Sequence, residues 1–142
     1  MSKSDTFEND LLKMIFQATA IANLCDNASS SPLASLFVAL HTSDPGETGV
    51  QTTGEANYGA YARATIARTT VGWTIATNTV TPAATISFPA STSGTNTVTH
   101  FSVGAAVSGA SKIFYSGTVT PNIVVTSGVT PQLTTASTIT ED

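Results

Sequence analysis

Turn-forming residues cut most of this chain into short pieces. Asp44-Pro45-Gly46, Gly72, Ser93-Gly94, Ser108-Gly109, Thr120-Pro121-Asn122, Ser127-Gly128 and Thr130-Pro131 punctuate it from residue 34 onward. Between them lie β-type runs near 34–41, 61–69, 72–76, 78–81, 84–88, 97–104, 112–119, 122–126 and 136–140. Several alternate cleanly: Ala84, Ile86 and Phe88 share one face, as do Phe101 with Val103 and Ile113 with Tyr115. Many short strands separated by turn signals predict a mainly β fold, an antiparallel β-sandwich or jelly-roll-like domain. No fixed-period repeat points to a solenoid or propeller.

The composition agrees. Ser and Thr together supply 42 of the 142 residues, and charged residues make up only 10%, against about 25% in typical soluble domains. Hydroxyl-rich, β-branched sequence suits pleated strands, and low charge suits a surface that packs against other protein. The acids cluster: seven lie in the first 55 residues, Glu141 and Asp142 end the chain, and none falls between Ala56 and Thr140. Five Lys and Arg in a chain of net charge −4 cannot form the clustered basic patch that nucleic-acid binding needs. Cys25 stands alone, which excludes an intramolecular disulfide or a multi-cysteine zinc site; it reads as a small apolar filler. The N-terminus reads neither as a signal peptide nor as a membrane span.

Before residue 30 the pattern is helical. Phe7, Leu11, Ile15, Ala18 and Ala22 recur at helical spacing, broadened by Met14 and Ile21. Asp5 or Thr6 suits the N-cap, with Glu8 three residues after Asp5 as in a capping box. A helix from about Thr6 to Asn23 is predicted, packed on the sheet or serving as an arm that docks on a neighbouring subunit. The division is therefore 1–30, helical arm and linker, and 31–142, β-sandwich domain.

The best candidate for chemistry is LFVALHTSDPGETG, residues 36–49, where His41, Asp44 and Glu47 fall at every third position. Leu36, Val38 and Leu40 point to one side of a strand, with Phe37, Ala39 and His41 on the other. Asp44-Pro45-Gly46-Glu47 has type II turn chemistry, in which Asp44 can accept from backbone N–H groups of its own turn and His41 can bridge back to it. A metal would need three converging ligands, and the trio spreads across a turn. The structural reading is favoured over a divalent-metal or catalytic site. His100 reads as a half-buried residue with one nitrogen satisfied. Ser is so abundant that a Ser-His-Asp set can be assembled on paper, but no G-x-S-x-G elbow is present. Trp73 reads as a core anchor rather than a sugar-stacking platform. A hydrolytic module using Trp73, Tyr58, Tyr61 and a Glu47–Glu55 pair is the weakest reading. Arg63 and Arg68 lie in a region without acids and are expected to pair with acids of the N-terminal third or across a subunit boundary.

LFVALHTSDPGETG, then EANYGAYARATIART, GWTI, THFSVGAAVSGASKIFYSGTV and a terminal TPQLTTASTITED together resemble a family of small bacteriophage and prophage virion proteins. Members carry tail-fibre labels, and the chain is similar to small phage capsid decoration, or cement, proteins. The resemblance covers nearly the whole chain and carries no catalytic residues, cofactor or metal. It implies a virion structural protein that binds junctions of the major capsid protein as a homotrimer. The alternative it implies is a tail-fibre or tail-tip component that contacts tail proteins and serves host attachment. It also implies synthesis in the host bacterial cytoplasm and residence in the virion, with no enzymatic activity. The interface candidates are Phe7, Leu11, Met14 and Ile15 on the helix, Asp44, Glu47 and Glu55 on the acid-bearing loop, and Arg63 and Arg68.

Overall fold

The computed structural model describes residues 5–20 and 33–141; the side chains of 5–7 lie outside that description. The helix prediction at 21–23, Cys25 and the 27–32 linker also fall outside it. The chain is mainly β, with one N-terminal helix and several antiparallel sheets, as the turn and strand pattern predicts. It divides into two compact units: residues 1–35, 67–85 and 133–142, and residues 36–66 and 86–132. Among the described residues, no helix is long and apolar enough to cross a membrane.

In the first unit, helix α1 (Asp5–Gln17) packs against strands β3 (Trp73–Ala76) and β4 (Thr79–Pro82). These strands form a hairpin with Ala76 opposite Thr79, and β9 (Ile139–Thr140) pairs on the far side of β4. Contact within the chain thus realises the packed-helix alternative. The buried side of α1 differs from the predicted stripe: Leu12 and Phe16 are fully enclosed, whereas Leu11, Met14 and Ile15 are half-buried. The reason is a large aromatic partner. The Phe16 ring meets Trp73 edge-on at 4.7 Å between centroids and 67° between planes, geometry that aromatic pairs favour. Trp73 is thereby the core anchor the sequence suggests. The helix stops at Gln17 because Ala18 takes a left-handed φ of 55° and Thr19 N–H bonds back to the Lys13 carbonyl, a backbone state that ends helices. Arg68 donates to the carbonyls of Met14 and Ile15. These belong to the last turn, whose carbonyls have no intrahelical partner. Arg68 also donates to the Leu33 carbonyl at 3.2 Å.

In the second unit, a four-stranded sheet runs β2 (Ala64–Ala67), β1 (Ser35–His41), β6 (Asn96–Gly104), β7 (Ile113–Val125). The strand β1 is paired along both edges, and side chains on both its faces are buried: Leu36, Val38 and Leu40 on one side, Ala39 and His41 on the other. Val98, Phe101, Val103 and Val125 extend the same core. Short strands β5 (Ile86–Ser87) and β8 (Gln132–Leu133) form a two-stranded sheet. One predicted break is absent. The runs 112–119 and 122–126 are a single strand, β7, across Thr120-Pro121-Asn122. The register explains how. Val98 faces Ile123 while His100 faces Thr118, so residues 119–122 bulge out opposite Thr99. A bulge is a place where proline, lacking an N–H, costs the ladder nothing.

Candidate functional site

The acid-bearing loop between β1 and β2 is where the titratable residues gather. It begins as predicted with Asp44 accepting from a backbone N–H, that of Gly46 at 2.9 Å, and Gly46 takes φ +68°; the backbone turn itself closes two residues later than predicted, from Gly49 N–H to the Gly46 carbonyl. Asp44 and Glu47 are exposed on this turn. From there the loop folds back over β1. Ala56 N–H bonds the Leu40 carbonyl and Thr42 N–H the Gly54 carbonyl, each at 2.8 Å.

This return brings Glu55 to Arg63. Arg63 Nε donates to Glu55 Oε1 at 2.7 Å and Nη2 to Oε2 at 2.8 Å, a bidentate fork. Nη1 donates to Gln51 Oε1 at 3.2 Å and the Ala106 carbonyl at 2.8 Å, and Nη2 also donates to the Gly109 carbonyl at 2.8 Å. All five guanidinium N–H groups are used. Gln51 in turn donates to the Phe37 carbonyl at 2.9 Å. Tyr61 donates to Glu55 Oε1 at 3.0 Å and accepts from Leu40 N–H at 3.0 Å; burial raises its pKa. The network ties together β1, the 42–56 loop and the 105–111 turn. Arg63 meets an acid, as expected, but that acid is Glu55, eight residues away and past the first third of the chain.

His41 is fully buried beside this network. It does not bridge to Asp44, as its sequence spacing suggested. Its Nδ1 lies 2.8 Å from the Thr53 carbonyl and its Nε2 2.8 Å from Ser102 Oγ. A carbonyl oxygen can only accept, so Nδ1 carries the proton and Nε2 accepts from the Ser102 hydroxyl. Burial lowers the His41 pKa, opposed by the bond to Thr53 and the charge of Glu55. The pair has the spacing of a nucleophile and its base. However, Ser102 is also fully buried, and the group orienting the imidazole is a carbonyl rather than a carboxylate. The arrangement fastens the loop to β6. His100 is half-buried, with Nδ1 2.9 Å from Thr99 Oγ1, as expected.

The structure therefore joins Glu55 with Arg63, and sets Arg68 on the main chain of Met14 and Ile15. Asp44 and Glu47 stay apart from Glu55, on the exposed turn. Leu11, Met14 and Ile15 are half-buried on α1, and the Phe7 side chain lies outside the described residues. Among the described residues, no three His, Cys, Asp or Glu side chains converge as a metal site. The ring of Trp73 is enclosed against Phe16, and Tyr58 is buried with its hydroxyl on the Pro89 carbonyl at 3.1 Å. Sequence reasoning missed Gln51 and Ser102, and nothing local marks either residue. Gly104 carries a trace of the first. A Cβ there would stand 2.3 Å from Gln51 Cδ.

Comparison with known proteins adds a family. The model described as podophage GP4 fiber I protein gp80 matches residues 2–140. No curated protein matches the chain.

Proposed function

Because the chain belongs to the podophage GP4 fiber I protein gp80 family, and so to the structural proteins of phage particles, we propose that it acts there by binding and not by catalysis. One observation carries this reading: the groups with chemical potential are spent internally. All the donors of Arg63, both oxygens of Glu55 and both ring nitrogens of His41 are committed to loop, strand and turn. What reaches the surface around them is mostly hydroxyl and small apolar side chains, with the acids Asp44 and Glu47 on one turn.

The leading form of the proposal is a capsid decoration protein. A homotrimer would cap junctions of the major capsid protein and stabilise the shell by mass action, since a ligand that binds only the assembled state raises its stability. An interface of about 1,600 Å² per site would suffice. The half-buried flank of α1 at Leu11, Met14 and Ile15 and the turn bearing Asp44 and Glu47 are the contact candidates. The protein would be made in the host cytoplasm and leave as part of the particle. The family's description as a fiber protein favours a second reading, a tail-fibre or tail-tip component.

Copy number separates the two. Quantitative mass spectrometry of purified particles should return a ratio near one copy per major capsid subunit for a decoration protein. A ratio of a few per cent would move the chain to the tail and make receptor binding its task. Absence from the particle would overturn both.

A further inference from the structure

No further inference is drawn: the strongest candidate, the edge of β7 (Ile113–Val125) as a pairing site for a second copy of the chain, carries nothing, because Pro121 and the two register shifts break that edge into short runs and nothing in the structure shows what covers it.

Discussion

Arg63 holds Glu55 by both carboxylate oxygens, at 2.7 and 2.8 Å, with the side chains of the pair 2% and 16% exposed. Through its remaining donors the same guanidinium fixes Gln51 and two carbonyls of the 105–111 turn. A buried ion pair of this kind contributes less to stability than it costs to break, because removing one partner strands the other.

Arg63→Met should therefore destabilise the protein by about 3–5 kcal/mol, leaving Glu55 and the carbonyls of Ala106 and Gly109 without their donor. Urea unfolding followed by circular dichroism measures this. The double variant Arg63→Met/Glu55→Gln should recover part of the loss, since the stranded charge is gone. Equal losses in the single and double variants would show that the pair is not the unit that matters.

Gly104 should not tolerate a methyl group. A Cβ there would lie 2.3 Å from Gln51 Cδ and 2.6 Å from the Lys112 carbonyl oxygen. Gln51 is fully buried and held at both ends of its amide, so it has nowhere to retreat. Gly104→Ala should cost about 1–3 kcal/mol as an overpacked site. It should also speed amide exchange at Gln51, whose N–H bonds the Ser111 carbonyl. Wild-type stability in this variant would mean the loop yields more easily than its hydrogen bonds imply.

Arg68 completes the end of α1. Replacing it by Met removes the donors to the Met14 and Ile15 carbonyls, with an expected loss of about 1–2 kcal/mol. Exchange in the last turn of the helix should accelerate while β6 and β7 stay protected. Arg68→Lys should restore only part of the loss, because one ammonium cannot reproduce the planar fork.

Phe16→Ala opens the contact between α1 and Trp73. The expected cost is about 3–5 kcal/mol. Trp73 is the one tryptophan in the chain, so its emission should shift to longer wavelength as water reaches the indole. An unshifted spectrum would show that α1 does not shield Trp73.

Much of the scaffold could be read along the chain because its signals are local. The turn at Asp44-Pro45-Gly46, the alternation of Phe101 with Val103 and the start of the helix each depend on residues within a few positions of one another. So does the conclusion that Arg63 needs an acid, since none follows it before Glu141. The matching of Arg63 to Glu55 is itself nearly local, eight residues apart.

The particular arrangement depended on partners far away in sequence. The Leu11–Ile15 and Leu12–Phe16 sides of α1 both carry large apolar residues, and only Trp73, more than fifty residues later, decides which side is enclosed. His41 has an acid three residues away but bonds Ser102, sixty-one residues on, because the pairing of β1 with β6 sets that hydroxyl beside a ring already out of water. Pro121 signals a turn, yet β7 runs through it, since the bulge opposite Thr99 absorbs the missing donor. The amino-acid order by itself determined where the chain can turn, which stretches can pleat and how few charges it must place. Which groups meet inside was decided by the tertiary structure, because burial raises the cost of an unpaired polar group until only a distant partner of the right shape and hydrogen-bonding sense can meet it.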